Sequence, residues 1–273
     1  MTQPAGQAAG VEPPRTVGIL GGMGPAAGAD FARLFVEACT ARMQALGIAV
    51  RDQAYPEHWL AQVPVPDRTA ALDDPRPGAH QPGDALLQAT GRLAALGARA
   101  VAIACNTAHA WHGLLQERFP QLAVLHMPRE VAALLHAQGR RRVGLLATQG
   151  TYRSGLYRRA LEQAGIDCLA PREAGRERLM QGIYEGVKAG DMALARQCFS
   201  EVAQALRDAG GAEVIVMGCT EIPLALDEAG AGAALLDPAR VLADALAREA
   251  YPQPPRDGRE QLQPQSAGLA TIM

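Results

Sequence analysis

The chain lacks a charge excess of either sign, since 26 basic residues stand against 28 acidic ones in 273 residues. That balance gives no electrostatic reason to expect a nucleic-acid or anionic-membrane partner. No apolar run approaches the roughly 20 residues that a membrane span needs. The first residues lack the basic segment and apolar core of a signal peptide. We therefore expect a protein that binds neither membranes nor nucleic acids.

Cysteines are few and carry no pairing signal. The chain has five of them, an odd number, and none forms a CxxC pair. This pattern indicates no disulfide framework, and without an HExxH motif it indicates no zinc site. We predict a reduced, cytoplasmic protein without a metal or other cofactor.

Apolar strands alternate with amphipathic helices along the chain, which predicts an α/β fold with parallel sheets flanked by helices. We expect mobile tails at residues 1–15 and 252–273, which are rich in Pro, Gly and Gln. Residues 48–83 contain several prolines and predict a long structured loop.

The sequence contains an internal duplication. VGILGGMG at Val17–Gly24 is echoed by VGLLATQG at Val143–Gly150, and VAIACNTAH, which contains Cys105, is echoed by VIVMGCTE, which contains Cys219. Each half thus opens with a strand and a turn, and closes with a strand and a cysteine. Ligands of parallel sheets bind beyond the carboxyl ends of the strands. If the two halves face each other, both thiols reach one cleft.

Cys105 and Cys219 are candidate catalytic residues. A thiol at the start of a helix is expected to have a lowered pKa, and its N–H neighbours are suited to a carboxylate. Two opposed thiols suit the inversion of a carbon, because one removes a proton while the other supplies one. Two alternatives stay open. Each cysteine alone is typical of a buried core residue, and Cys105 could pair with His109 for nucleophilic chemistry.

The glycine turn at Gly22–Ala27 fits the dinucleotide pattern GxGxxG/A. No strand ending in Asp or Glu follows at the expected distance, so a dinucleotide-dependent oxidoreductase is the minor alternative. The other interpretations are a tight turn without a ligand, or backbone N–H groups at Met23 and Gly24 that bind a small anion.

Two cations stand out from the other charged residues. Arg68 lies among prolines, which would hold its guanidinium still for two-point contact with a carboxylate. Lys188 is the single lysine of the chain. A lone lysine raises the alternative of a pyridoxal phosphate Schiff base, but nothing else resembles the site of that cofactor. Either residue could also be an ordinary surface cation.

Six segments together resemble the aspartate/glutamate racemase superfamily, and within it the cofactor-independent aspartate racemases. They are GILGGMGP (Gly18–Pro25), PDRT (Pro66–Thr69), ACNTAH (Ala104–His109), GLLATQGT (Gly144–Thr151), GIYEGVKAG (Gly182–Gly190) and GCTE (Gly218–Glu221). Glutamate racemases instead carry DSG near the start and GCTH at the second cysteine, so this chain is more similar to the aspartate branch.

The resemblance implies two pseudo-symmetric α/β domains with the active site between them. The corresponding ranges are residues 16–121 plus 231–251 for the first domain and 122–230 for the second. It also implies a homodimer and a small-molecule amino-acid substrate.

The resemblance further implies roles for individual residues. Cys105 and Cys219 become the two acid/base catalysts, with Cys105 facing the D enantiomer. Arg68 and Lys188 become ligands of the substrate's side-chain carboxylate. Contacts with the amino acid's α-carboxylate or amine are implied for Asn106, Thr107 and Thr220.

One stretch departs from the aspartate-racemase pattern. Asparagines often precede the PDRT run in that family, whereas this chain has Leu60-Ala61-Gln62-Val63-Pro64. Glutamate, the sulfonate cysteate or a broader set of amino acids are therefore alternative substrates. A non-catalytic amino-acid-binding protein on the same fold is the third function class.

Overall fold

The computed structural model describes residues 12–74 and 81–253. The expected mobile tails fall mainly on residues 1–11 and 254–273, which lie outside the described residues, as do residues 75–80 of the predicted loop.

Eight strands form the sheets. They are β1 (Val17–Gly21), β2 (His58–Gln62), β3 (Ala100–Ile103), β4 (Ala123–Val124), β5 (Arg142–Ala147), β6 (Asp167–Leu169), β7 (Val214–Gly218) and β8 (Ala234–Leu236). Strands β1, β3 and β7 are buried along their whole length, as expected for central parallel strands covered on both faces.

Helices connect the strands and cover the sheets. They are α1 (Pro25–Ala45), α2 (Arg68–Asp73), α3 (Pro82–Ala95), α4 (His112–Arg118), α5 (Met127–Ala137), α6 (Gln149–Ser154), α7 (Leu156–Gln163), α8 (Glu173–Gln181), α9 (Met192–Asp208), α10 (Glu228–Ala231) and α11 (Pro238–Ala250). Short 3₁₀ turns cover Asp52–Ala54, Thr107–Trp111 and Ile222–Leu224, and a π-helix covers Gly182–Val187.

The strands form two four-stranded parallel sheets, ordered β2-β1-β3-β4 and β6-β5-β7-β8. Both sheets therefore use the same order, which confirms the predicted α/β class and matches the duplication seen in the sequence. In each sheet the order reverses between the first and third strands of its half. That reversal opens a crevice beyond the carboxyl ends of those strands, where open α/β sheets bind ligands.

Four apolar clusters fill the faces of the two sheets. On the first sheet, α1 and α11 pack on one face and α3 and α4 on the other. On the second, α8 and α9 cover one face and α5 and α7 the other. Each sheet thus has an apolar core on both faces. The carboxyl ends of its strands lie at the edge of these cores, where they can form a binding site.

The predicted loop at residues 48–83 is wrong in part, since it contains β2 and α2. Strand β2 lies at the edge of the first sheet, and Trp59 and Leu60 within it are 38% and 39% exposed. An edge strand with both faces partly in solvent has no need of alternating apolar residues. For that reason the sequence of β2 does not show the two-residue alternation of apolar and polar side chains that indicates a strand.

Apolar residues at helical spacing predict single helices at Tyr152–Ala164 and Arg176–Lys188, and the structure differs in both. The first is divided at Gly155, which has a φ of +62°. The second is α-helical only to Gln181, and the π-helix follows.

The two sheets do not coincide with the predicted domain ranges at two places. Strand β4 pairs with β3 of the first sheet, although the predicted second domain begins at residue 122. Strand β8 pairs with β7 of the second sheet, although residues 231–251 are predicted to belong to the first domain. The division into two domains stays a prediction. Across the described residues, every helix is too short or too polar to span a lipid bilayer.

The π-helix packs closely on α9 because two of its residues have no side chain. A Cβ on Gly182 would lie 2.6 Å from Phe199 Cε1, and a Cβ on Gly186 would lie 2.7 Å from Ala195 Cβ. Ordinary side chains at these positions would push the segment away from α9. Lys188 follows the segment directly, so its place in the fold depends on this close approach.

We expect Gly186→Ala to lower the free energy of unfolding by about 1–3 kcal/mol, because the added methyl group overpacks a rigid helix contact. It should also raise the KM for a substrate that Lys188 binds. Urea unfolding and steady-state kinetics measure the two effects. Gly113→Ala is the matched control, since a Cβ there meets nothing within 4 Å; equal losses in both variants would contradict the packing argument.

Candidate active site

The carboxyl ends of β1, β3, β5 and β7 meet at one cleft between the two sheets. All predicted site residues except Gly24 line this cleft, namely Met23, Arg68, Cys105, Asn106, Thr107, Lys188, Cys219 and Thr220. Gly24 lines an adjoining cavity that shares Lys188, Thr220 and Glu221 with the cleft. Residues from separate segments of the sequence therefore converge on one place.

The two thiols occupy equivalent positions in the two halves. Cys105 follows β3 and Cys219 follows β7, and both are free and 7% exposed. They are near enough for a charge on Cys105 to raise the pKa of Cys219. The three other cysteines, Cys39, Cys168 and Cys198, line no part of the cleft.

The expected lowering of thiol pKa is wrong for Cys219. Burial raises its pKa well above the ordinary value, and the negative charge of Glu221 raises it further. Its Sγ donates a hydrogen bond to Glu221 Oε2 at 3.0 Å. A carboxylate acceptor stabilises the thiol over the thiolate. The segment after Cys219 is a short 3₁₀ turn rather than a full helix, so a strong helix dipole is missing.

His109 does not pair with the thiol of Cys105. Its Nδ1 lies 2.9 Å from the backbone carbonyl oxygen of Cys105, so Nδ1–H is the donor. Burial lowers the pKa of His109 to about 4, so the ring is neutral near pH 7. The nucleophilic Cys–His arrangement therefore does not form in this structure. Instead the hydrogen bond from His109 fixes the backbone of the turn that contains Cys105.

Arg68 links the glycine turn to the proline-rich segment. Its Nη1 donates to the carbonyl oxygens of Val65 and Pro66, each at 3.2 Å, and its Nη2 donates to that of Met23 at 2.8 Å. Its Nε is buried and has no partner among the described residues. The guanidinium is therefore held rigidly while retaining a donor, which suits the fixed carboxylate contact predicted from sequence.

Lys188 is held more loosely than Arg68. Its side chain is 44% exposed, and its Nζ lies 4.0 Å from Glu221 Oε1 and 4.2 Å from the ring centroid of Tyr184. A pair of this length whose lysine is 44% exposed contributes little to stability. The ammonium is therefore free to exchange Glu221 for another carboxylate.

Asn106 and Thr107 join the two halves at the base of the cleft. Thr107 Oγ1 lies 3.1 Å from Thr148 Oγ1 and 2.9 Å from Thr151 Oγ1, and Asn106 Oδ1 accepts a short hydrogen bond from Tyr157. Burial raises the pKa of Tyr157, so its phenol keeps the proton that it donates. Both predicted ligands already have partners inside the protein, and their first effect is to fix the turn beside Cys105.

The glycine turn is packed against the segment that departs from the aspartate-racemase pattern. Gly22 has a φ of +92°, and a Cβ there would lie 2.2 Å from the carbonyl oxygen of Val63. Gln62 Nε2 donates to the carbonyl oxygen of Pro25 at 2.9 Å. Close packing against Val63 therefore explains why a glycine is needed at position 22. The contacts give no support to the dinucleotide alternative.

A family model described as Asp/Glu/Hydantoin racemase matches residues 20–246. The chain belongs to this family. The match includes both thiols and every other residue predicted for the site.

Solved and curated relatives agree with the family. An aspartate racemase from Picrophilus torridus superposes with a TM-score of 0.69 at 28% identity, over 86% of this chain and 94% of that chain. A broad specificity amino-acid racemase, RacX of Bacillus subtilis, is 24% identical over 83% of this chain and 94% of that protein. A glutamate racemase of Ectopseudomonas mendocina is 33% identical over 49% of this chain. The matched segment spans 50% of that glutamate racemase's own length.

Sequence reasoning missed several polar residues around the racemase-family cleft. Glu221 and Tyr184 lie inside the motifs that carry the resemblance, yet no role was predicted for them, nor for Thr148, Thr151 and Tyr157. The duplication could have identified Thr148 as a residue of the cleft. The echo VGLLATQG aligns Thr148 with Gly22 of the first glycine turn.

A cluster of three histidines lies behind Cys105. The rings of His109 and His126 are 5.6 Å apart and those of His112 and His126 are 4.7 Å apart. Burial is the main cause that lowers the pKa of all three, to about 4 for His109. The cluster is therefore neutral near pH 7, and protonating it would place positive charge in a buried space.

We expect this cluster to make the fold acid-sensitive. The pKa of His109 is about 4 in the folded chain and about 6.5 in the unfolded chain. Its stabilising effect is complete above about pH 6.5 and is lost as pH falls toward 4. Between pH 6.5 and 5 the wild type should lose about 2 kcal/mol more than His109→Gln in urea unfolding.

The control for this measurement is His136→Gln, because His136 is exposed and lies outside the cluster. It should retain the pH dependence of the wild type. If His109→Gln showed the same pH dependence as the wild type, His109 would not be the titrating group.

Proposed function

We propose that the chain is a cofactor-independent racemase of an acidic amino acid, with aspartate as the first candidate. The observation that carries the proposal is the pair of free thiols at duplicated positions, both lining one cleft in a member of a racemase family. Inversion at Cα needs a proton acceptor on one face and a donor on the other. Two thiols on opposite halves of the protein supply that arrangement.

In the proposed reaction one sulfur is a thiolate and the other a thiol. The thiolate removes the α-proton, so the Cα–H bond breaks and an S–H bond forms. The electron pair stays on the substrate as a carbanion until the opposite thiol protonates the other face. The enzyme ends with the protonation of its two sulfurs exchanged. We assign Cys105 to the D enantiomer and Cys219 to the L enantiomer.

The two cations give the proposal its preference for an acidic side chain. Arg68 offers a buried Nε that has no partner among the described residues, and leaving such a donor unpaired costs about 1–3 kcal/mol. A substrate carboxylate would satisfy it. Lys188 can add a second contact by leaving Glu221, because the two charges are 4.0 Å apart and the lysine side chain is 44% exposed. We place the substrate's side-chain carboxylate between these cations.

Other substrates in the same chemical class remain candidates. Glutamate has the same carboxylate on a longer chain, and cysteate presents a sulfonate to the same cations. A broad specificity is the alternative suggested by the Bacillus subtilis relative, which is described as a broad specificity amino-acid racemase. Gln62 lies in the stretch that departs from the aspartate-racemase pattern, and it contacts Pro25 rather than lining the cleft. This departure is the reason for keeping glutamate, cysteate and a broader set of amino acids beside aspartate.

The direct test is proton NMR of L-aspartate with the protein in heavy water, without added cofactor. Loss of the α-proton signal with the carbon skeleton intact is the expected result, and chiral analysis of the same sample should show both enantiomers. A persistent signal with aspartate, glutamate and cysteate would contradict the proposal. Binding without exchange would favour the non-catalytic amino-acid-binding alternative.

Replacing either catalytic thiol should abolish racemisation. We expect Cys105→Ala and Cys219→Ala each to lose at least roughly 10²–10⁴-fold in turnover, which is the range for an acid/base group. Chiral chromatography measures the loss. Cys168→Ala is the matched control, because Cys168 is a free cysteine outside the cleft. Substantial turnover by either cleft variant would rule out the two-base mechanism.

Replacing a cation should weaken substrate binding more than it slows proton transfer. We expect Lys188→Met to raise the KM for aspartate by about tenfold or more, since a charge-assisted contact contributes about 1.5–3 kcal/mol. Arg172→Gln is the control, because it removes an exposed positive charge that does not line the cleft. Unchanged KM in the Lys188 variant would remove this residue from the binding site.

A further inference from the structure

Glu221 is in direct contact with one thiol of the cleft. Its Oε2 accepts hydrogen bonds from Cys219 Sγ and from Thr220 Oγ1, both at 3.0 Å. The carboxylate is also shielded, with a side chain only 16% exposed. Two donors on one oxygen fix the carboxylate beside the sulfur, and the thiol hydrogen is directed at it.

The charges around Glu221 mostly favour a protonated Cys219. Burial and the Glu221 charge both raise the pKa of Cys219, and a charge on Cys105 across the cleft adds to this. Asp30 and Asp237 line the adjoining cavity with Glu221. The cation nearby, Lys188, is 4.0 Å from the other carboxylate oxygen and 44% exposed, so solvent screens its opposing effect.

The surroundings of Cys105 are different despite the duplication. The residue two positions after Cys105 is Thr107, where Glu221 stands two positions after Cys219. Thr107 is neutral, and its hydroxyl is hydrogen-bonded to those of Thr148 and Thr151. Among the described residues, no carboxylate is hydrogen-bonded to Cys105 Sγ.

We propose that Glu221 is a positioning residue that keeps Cys219 protonated in the substrate-free protein, so that proton abstraction begins at Cys105. This inference rests on the proposed function, since it assigns the starting state of the two-thiol reaction. The resting protein then accepts the enantiomer whose α-proton faces Cys105. The opposite enantiomer needs the protonation of the two sulfurs to be exchanged first.

The same contact provides a route back to the resting state. After a turnover begun by Cys105, the Cys219 sulfur is a thiolate and Cys105 carries the abstracted proton. A water molecule gives a proton to the Glu221 carboxylate and becomes hydroxide, and the proton passes to the Cys219 sulfur, so an O–H bond breaks and an S–H bond forms. Cys105 releases its proton to the hydroxide, which becomes water again, and the carboxylate regains its charge.

Alkylation by iodoacetamide without substrate tests the resting state, because the thiolate is the reactive form. The full-length protein is labelled between pH 6 and 10, and mass spectrometry of peptides measures the rate at each cysteine. Cys105 and Cys219 have the same residue exposure of 7%, and the pH dependence of each rate separates thiolate formation from access to the sulfur. We expect Cys105 to react at least about tenfold faster than Cys219 near neutral pH.

Glu221→Gln should raise the alkylation rate of Cys219 by about tenfold and shift its pH midpoint downward, because the neighbouring negative charge is gone. Glu221→Asp keeps the charge and should leave Cys219 slow. Glu185→Gln is the matched control: it removes a carboxylate from the exposed side of the π-helix, where Glu185 accepts from Gln181. That variant should leave both rates unchanged.

Equal alkylation of the two thiols in the wild type would overturn the inference, and so would an unchanged Cys219 rate in a folded Glu221→Gln protein. Circular dichroism establishes folding, and the comparison of Cys105 with Cys219 within the wild type remains decisive if Glu221→Gln does not fold. The labelling needs no substrate. Absence of α-proton exchange would therefore defeat the racemase proposal separately from the thiol asymmetry.

Discussion

The cleft depends on hydrogen bonds that cross between the two halves of the chain. The hydroxyl of Thr107 meets those of Thr148 and Thr151, and Tyr157 donates to Asn106. All of these side chains are buried, so their polar groups would lack partners if the halves separated. Because Asn106 and Thr107 directly follow Cys105, the same contacts that close the halves also place a thiol in the cleft.

The duplicated fold explains why two thiols face each other, but it does not make them equivalent. Both sheets have the same strand order and place a cysteine after the corresponding strand. Their neighbours then diverge, with a neutral histidine bound to the backbone of Cys105 and a carboxylate bound to the thiol of Cys219. The proposed racemisation has to act on mirror-image substrates, and in that proposal the asymmetry of the two halves gives each thiol a separate starting state.

The two cations differ in the same way. Arg68 is fixed by backbone carbonyl groups from the glycine turn and the proline-rich segment, whereas Lys188 is half exposed at the end of the π-helix. In the proposed reaction the rigid donor defines where the substrate carboxylate is held, and the half-exposed ammonium closes on it after entry. The closely packed glycines of the π-helix connect this second cation to the core of the second half.

Sequence alone determined the α/β class, the duplication and the family resemblance. Those features depend on local periodicity and on short motifs, and both involve residues that are close together in the sequence. It also predicted both thiols, Arg68 and Lys188, residues that the fold does bring to one cleft. Strand β2 was missed because an exposed edge strand has little apolar pattern. The close approach of the π-helix to α9 was missed because it depends on contacts between separate helices.

Only the tertiary structure decided how each site residue is surrounded. The pKa of Cys219 is raised because burial and Glu221 outweigh any effect of a following helix. The contacts of Thr107 and Asn106 come from residues more than 40 positions away. Electrostatic environment is set by distance in space and by exclusion of water, and neither quantity can be read from neighbours in sequence.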